Sequence, residues 1–281
     1  MRERFLRLVA LTRLVTARPG DQPALQILAQ RLNVAKSTLS EDLAVVRRAI
    51  HAAGLGEIVT QVGASGGIRF VPALDREWVE KAVQTFGREL SQPERMTGNG
   101  FLYMTDLLFD PALIDPIGVL LAERLAILEP QYVITVETKG IPLALAVARA
   151  LGIPLVLLRR DNRLSEGSAL SINYLSGSSH RIQSLSLSRR SSVRNARVVF
   201  VDDFLKAGGT ARAAADLMSE FQADMVGVGV LVATRQPESK LIDDISACLE
   251  WNEETGVKPS SWVTKRLAEA ASCWPLSGEL T

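Results

Sequence analysis

Asp202 and Asp203 stand side by side after an apolar, β-branched run, Val198, Val199, Phe200 and Val201. Lys206-Ala207-Gly208-Gly209-Thr210 follows, and an Ala-rich amphipathic segment opens near Ala211. Paired carboxylates can accept hydrogen bonds from the hydroxyls of a ribose, or face a magnesium ion. A glycine-rich turn that opens a helix bares backbone N–H groups at the positive end of the helix dipole, where a phosphate is favoured. The order of residue types reads as buried strand, acidic strand end, Gly-rich loop and helix start. A second polar loop, Glu137-Thr138-Lys139-Gly140, follows another apolar run at 132–136.

These loops need elements to hold them. The runs at 132–136, 154–158 and 225–232 read as strands, with a helix at 143–151 and a strand–loop–helix unit over 198–221. Such alternation predicts a parallel, doubly wound α/β sheet, with ligands gathering at the carboxyl ends of the strands. Both polar loops fall there. Between them lies a polar insertion: 162–167 reads as a loop, and 169–175 and 181–187 as two paired strands joined by Ser176-Gly177-Ser178-Ser179. Ser184, Ser186 and Ser188 read equally well as the polarity of an edge strand.

The first 73 residues have a different character. Phe5, Leu6, Leu8, Val9, Leu11, Thr12 and Val15 recur at helical spacing, with arginines on the other side, until Arg18-Pro19-Gly20-Asp21. Leu25, Ile27, Leu28 and Leu32 mark a second helix, with Ala29 small enough for close packing, and Asn33-Val34 turns the chain. Lys36-Ser37-Thr38 opens a third helix with Leu39, Leu43, Val46 and Ile50 on one face. Strands at 58–62 and 68–71 around a Gly-rich turn complete a winged helix-turn-helix. Lys36, Ser37, Thr38 and Ser40 would meet base edges or phosphates, and Arg47 and Arg48 the DNA backbone or water. Residues 1–73 carry ten Lys/Arg against five Asp/Glu, a balance of +5, and the remainder carries −4. A basic module on an acidic body suits a polyanion, although winged helices also bind proteins and a basic face can simply be solvated.

From residue 74 to 130 the residues carry no evident chemistry. Asp75 reads as the cap of a helix to Gly87 with Trp78, Val79, Val83 and Phe86 inward. Residues 91–100 read as a loop and 101–104 as a short strand. Asp110-Pro111 and Asp115-Pro116 both read as helix starts. The 281 residues suffice for two cores. No apolar run reaches membrane-spanning length, and residues 1–4 lead into a mixed helix rather than a signal peptide. Cys248 and Cys273 imply neither a disulfide framework nor a metal site. The expectation is a cytoplasmic protein of bacterial type with no membrane partner, divided into domains 1–73 and 74–281.

The stretch at 198–213 resembles the signature of type I phosphoribosyltransferases, which bind 5-phosphoribosyl 1-pyrophosphate (PRPP). Taken with the loop at 137–142 and the serine-rich insertion at 159–191, nearly the whole chain resembles the Gram-positive purine operon repressor family, which is unrelated to the LacI-type purine repressors. The resemblance implies a dimeric winged-helix DNA-binding domain joined to a phosphoribosyltransferase-like sheet domain that binds PRPP as inducer without turnover. It places the 5′-phosphate on the N–H groups of Ala207, Gly208, Gly209 and Thr210, and the ribose hydroxyls on Asp202 and Asp203. Phe204 and Leu205 belong to the same run. The pyrophosphate falls on Thr138, Lys139 and Gly140, with Mg2+ accompanying the ligand and no cofactor otherwise required. Lys206 and Tyr174 are further candidates, beside the readings of a solvated loop charge and a packed strand residue. Ala207 stands where many catalytic members carry a hydroxyl, and Phe204 where they carry a small aliphatic residue, which puts turnover in doubt. The alternatives are an active purine or xanthine phosphoribosyltransferase, and a site shared with guanine nucleotides of the alarmone type.

Overall fold

The computed structural model describes residues 2–17, 23–60, 67–97, 100–160, 167–175 and 182–270. The chain divides into two compact units, one built mainly on Met1–Asp75 and the other on Arg76–Ala148 and Ile153–Ala268.

In the first unit α1 (Arg2–Thr16), α2 (Leu25–Arg31) and α3 (Lys36–Ala52) precede an antiparallel hairpin of β1 (Gly56–Thr60) and β2 (Ile68–Pro72). Leu39, Leu43, Val46 and Ile50 of α3 pack with Leu11, Val15, Leu28, Ala29, Ile58 and Ile68 into one core. That is the winged helix expected from the helical and alternating periodicities. The breaker at 18–21 and the hairpin turn at 63–66 lie outside the described residues. Phe5, Leu6 and Val9 keep helical spacing but are exposed, as is Ile27 of α2. The buried stripe of α1 is narrow, and its "other" side is not free: Arg4 and Arg7 reach Asp42 of α3.

The second unit opens with α4 (Arg76–Leu90), which runs past Gly87 and buries Val79, Ala82, Val83, Phe86 and Leu90. Trp78, expected inward, is half out of the core because it sits about 100° around the helix from Val79. A 3-10 turn at Pro93–Arg95 leads to a small hairpin of β3 (Met96–Thr97) and β4 (Phe101–Leu102), then α5 (Thr105–Leu108). The next helix, α6 (Pro111–Ala126), begins as expected: Asp110 accepts from the Ala112 amide at 2.9 Å, and Pro111 occupies the first turn. The second expected start, at Asp115-Pro116, does not exist. Pro116 lies inside α6, little more than one turn after its start, where the lost N–H costs a single ladder bond.

The body is a sheet of β5 (Tyr132–Val136), β6 (Leu155–Leu158), β9 (Arg197–Leu205), β10 (Asp224–Thr234), β11 (Ile245–Asn252) and β12 (Gly256–Pro259). Helices α7 (Ile141–Leu151), α8 (Gly209–Glu220) and α9 (Ser261–Ala270) accompany it. A separate antiparallel ribbon is formed by β7 (Ala169–Leu175) and β8 (Ile182–Ser188), as its serine-rich sequence suggested; its turn lies outside the described residues. The sheet order is β12-β11-β10-β9-β5-β6, parallel except for β12 at the edge. From β5 the chain moves outward to β6, and from β9 it moves the other way to β10 and β11. The strand order therefore reverses between β5 and β9, and the crevice beyond their carboxyl ends is where an open α/β sheet receives a ligand.

Candidate functional site

That crevice holds a cavity of about 490 Å³. Its wall includes the whole run from Asp202 to Thr210, together with Thr138 and Lys139. β9 extends further than its apolar residues suggest, through Asp202 and Asp203 to Leu205, so the carboxylates sit on a strand rather than beyond its end. α8 then starts at Gly209, with Gly208 before it at φ +85°, a backbone that glycine adopts without steric cost. The N–H groups of the first turn of α8 have no partner within the helix. Thr210 stands on that turn with its hydroxyl 3.5 Å from Tyr174 Oη.

Gly140 does not line the cavity; its part is to let the loop after β5 lie against the ends of the strands β5 and β9. A Cβ there would collide with Asp202 Oδ1 and Thr135 Oγ1. The 138–140 loop is thus packed against the Asp202 carboxylate. The Glu137–Thr138 peptide beside it is cis. The Asp203 amide donates to Asp202 Oδ1 at 3.0 Å. Burial pushes the Asp202 carboxyl well above the usual carboxylate range, and the neighbouring charge of Asp203 pushes it further. Hydroxyl donors or a cation beside Asp202 would favour its ionised form.

Tyr174 also stays off the cavity wall. Its hydroxyl donates to Gln183 Oε1 at 2.8 Å, and Arg160 Nη1 donates to the same oxygen at 3.3 Å. The Arg160 amide in turn donates to Glu137 Oε1 at 3.1 Å. The ribbon, the end of β6 and the loop after β5 are joined through these contacts.

Sequence reasoning missed part of the wall: Phe101, Leu102, Met104, Glu137, Arg160 and Gln183. Arg160 follows the parallel strand β6, so the rule that nominated residues 138–140 would have nominated it too. Phe101 comes from residues that carried no chemistry when read alone. Its ring stands 5.7 Å from that of Phe204, which stands 6.1 Å from Trp251, and Lys206 Nζ lies 5.9 Å from the centre of Phe101. An aromatic surface with a cation beside it thus adjoins the Gly-rich loop.

In the first unit Lys36, Ser37 and Ser40 are exposed on the opening turns of α3, with Thr38 half-buried beside them. Arg48 is exposed. Arg47 is not simply solvated: its Nη2 donates to Thr60 Oγ1 at 2.7 Å and ties α3 to the first strand of the wing. Asp42, missed as a polar core residue, is buried between Arg7 (2.6 Å) and Arg4 (3.0 Å). Burial acts to raise its pKa, but the hydrogen bonds and charges of the two arginines together outweigh it and hold the carboxyl below its usual range. The carboxylate fixes α1 against the helix that presents Lys36 to Ser40.

Two family models match the chain: the N-terminal part of the bacterial purine repressor over residues 3–72, and the phosphoribosyl transferase domain over residues 105–260. The purine biosynthesis transcriptional repressor of Bacillus subtilis is 41% identical over 86% of this chain and 85% of its own. The chain belongs to the bacterial purine repressor family. Another relative, named a purine biosynthesis transcriptional activator in Lactococcus lactis, is 35% identical over 87% of this chain and 90% of its own. Among solved structures, an adenine phosphoribosyltransferase from Thermoanaerobacter pseudethanolicus superposes with a TM-score of 0.52 at 22% identity, covering 62% of this chain and 99% of the other. That likeness is one of fold: a type I phosphoribosyltransferase sheet carried in a regulator.

Proposed function

We propose that this protein is a DNA-binding repressor of purine biosynthesis genes whose DNA affinity is lowered by PRPP. Residues 1–73 bind operator DNA, and residues 74–281 bind the effector without turning it over. The observation that carries the reading is one cavity, at the switch point of the sheet, that combines paired carboxylates with a helix-opening Gly-rich loop, in a chain whose first 73 residues form a basic winged helix. In this reading the amides of Ala207, Gly208, Gly209 and Thr210 hold the 5′-phosphate, Asp202 and Asp203 accept from the ribose hydroxyls, and Thr138, Lys139 and Arg160 face the pyrophosphate. Among the described residues no cluster of three His, Cys, Asp or Glu side chains could hold a metal alone. Asp202 and Asp203 nonetheless suit a magnesium ion that arrives on the ligand, where it would screen the pyrophosphate. Lys36, Ser37, Thr38 and Ser40 enter the major groove, and two copies meet two half-sites as a cytoplasmic homodimer. Among the described residues no helix is long and apolar enough to cross a membrane.

Release requires PRPP to bind the DNA-free state more tightly; each tenfold preference is worth about 1.4 kcal/mol. The test is a titration of PRPP with Mg2+ into the protein–operator complex. Retention of DNA at saturating PRPP refutes the inducer role. Lys36→Ala is expected to weaken operator binding with PRPP affinity unchanged, and equal loss of both refutes the division of labour. Incubation with PRPP and each purine base should give no nucleotide; turnover would make the protein an enzyme. The aromatic surface of Phe101 and Phe204 favours a second ligand class at the same loops, guanine nucleotides bearing a pyrophosphate, which would displace labelled PRPP.

A further inference from the structure

Behind the Gly-rich loop, on the side away from the cavity, lies the chain between β10 and β11. Lys240 Nζ donates to the main-chain oxygen of Lys206 at 2.6 Å, to that of Thr234 at 2.8 Å and to Thr234 Oγ1 at 3.3 Å. Thr234 Oγ1 donates its one proton most closely to the Gln236 oxygen, at 2.5 Å, and lies 3.2 Å from the Lys206 oxygen, so Lys240 is the principal side-chain donor to that carbonyl. The next amide, that of Leu241, donates to the Ala207 oxygen at 2.9 Å. Ile242 closes the arrangement, its Cγ2 lying 3.2 Å from where a Cβ on Gly208 would be.

We propose that Lys240 is a positioning residue for ligand phosphate: with the Leu241 amide it holds the peptides of the Gly-rich loop so that the N–H groups of Ala207 and Gly208 point into the cavity. The geometry follows from the peptide plane. In a trans peptide the C=O and the following N–H point in opposite directions within one rigid plane, and the peptides after Lys206 and after Ala207 are trans. Tying the Lys206 oxygen to Lys240 therefore turns the Ala207 N–H the other way. Tying the Ala207 oxygen to Leu241 does the same for the Gly208 N–H. Ala207 and Gly208 line the cavity, whereas Lys240 and Leu241 do not.

An ammonium suits this task because it has three donors and no acceptor, and its bonds to oxygen are charge-assisted. Among the described residues its partners are uncharged oxygens, so its charge is left to act through the loop on whatever anion lies in front. A neutral side chain could imitate neither feature. Partial burial lowers the Lys240 pKa, so the device weakens at a lower pH than an exposed lysine would.

The inference rests on reading residues 206–210 as a phosphate cradle, and its test separates the two. Ribose 5-phosphate and Mg2+-pyrophosphate are titrated calorimetrically, each alone, into the full-length wild type, Lys240→Met and Lys240→Arg. Lys240→Met is expected to lose roughly tenfold or more in ribose 5-phosphate affinity, about 1.4 kcal/mol, while pyrophosphate affinity stays within about twofold of wild type. Lys240→Arg, which keeps the charge and the donors, should recover most of the loss. Wild-type affinity for ribose 5-phosphate should fall at alkaline pH, and that of the arginine variant should not. Unimpaired binding of ribose 5-phosphate by Lys240→Met overturns the inference alone. Equal loss of both ligands overturns it in favour of a general structural role. A wild type that binds neither ligand overturns the functional reading, and this inference with it.

Discussion

Replacing Gly140 by alanine should silence the effector response while leaving effector-free DNA binding intact. The added methyl would overlap Asp202 Oδ1 and Thr135 Oγ1, and it would lie 3.2 Å from the Asp202 Cα. Thr135 is fully buried, so it has little room to retreat. Asp202 must move, and with it the end of β9. Overpacking of this kind costs about 1–3 kcal/mol, which in a domain of this size lowers the melting temperature by a few degrees per kcal/mol. The larger effect is on binding. A hydrogen bond to a charged group contributes about 1.5–3 kcal/mol, so each ribose hydroxyl that loses Asp202 weakens PRPP by roughly ten- to 150-fold. Calorimetry with Mg2+-PRPP reads the affinity, and PRPP titration of the operator complex reads the response. Gly140→Ala protein that binds PRPP within about twofold of wild type would refute the claim that close packing of this loop positions the carboxylate.

Three other outcomes follow from the geometry. Asp202→Asn removes a carboxyl whose ionisation burial and Asp203 oppose, so ligand-free protein should melt higher at pH 7 although PRPP binding is lost. The sign is that of a raised carboxyl: wild-type stability falls as pH rises from the unfolded pKa through the folded one, and a pH series of melts on the asparagine variant should lack that fall. Asp42→Asn breaks the contacts to Arg7 and Arg4, costing about 1–3 kcal/mol because both arginines can turn to water. Asp42 is the opposite case, a lowered carboxyl, so its contribution is present above the unfolded pKa and disappears as pH falls through the folded one, below the usual carboxylate range; chemical denaturation at pH 7 and under strong acid tests this. Arg47→Ala frees the wing strand from α3 at Thr60; operator affinity should drop with a shallower salt dependence while stability changes by less than about 0.5 kcal/mol, and fluorescence anisotropy across a salt series would show it.

Much of this protein can be read along the chain because its chemistry is local. Asp202, Asp203 and the Gly-rich loop lie within nine residues, since one strand end and one helix start supply them both. The repeating α/β units and the winged helix are legible for the same reason, each being a periodicity over consecutive residues. Where local signals competed, they misled. Asp115-Pro116 looks like a helix start as much as Asp110-Pro111 does, and only the packing of Ile114, Ile117, Leu120 and Leu121 in one continuous helix decides against it. Trp78 and Phe5 look like core residues until the direction of the buried stripe is known. The strand Ile245–Asn252 carried little signal, because Ser246, Glu250 and Asn252 blur its alternation, yet it completes the parallel part of the sheet.

What only the tertiary structure decided is how distant residues meet at the loop that the sequence singles out. Residue types at 202–210 carry chemistry suited to a phosphate and a diol, because backbone amides and adjacent carboxylates need no partner from elsewhere to have it. The direction of those amides depends on Lys240 and Leu241, some thirty residues on. The place of Asp202 depends on the missing Cβ of Gly140, and the aromatic wall depends on Phe101 and Trp251 from opposite ends of the domain. Such contacts leave no periodic trace, since the sheet alone brings them together.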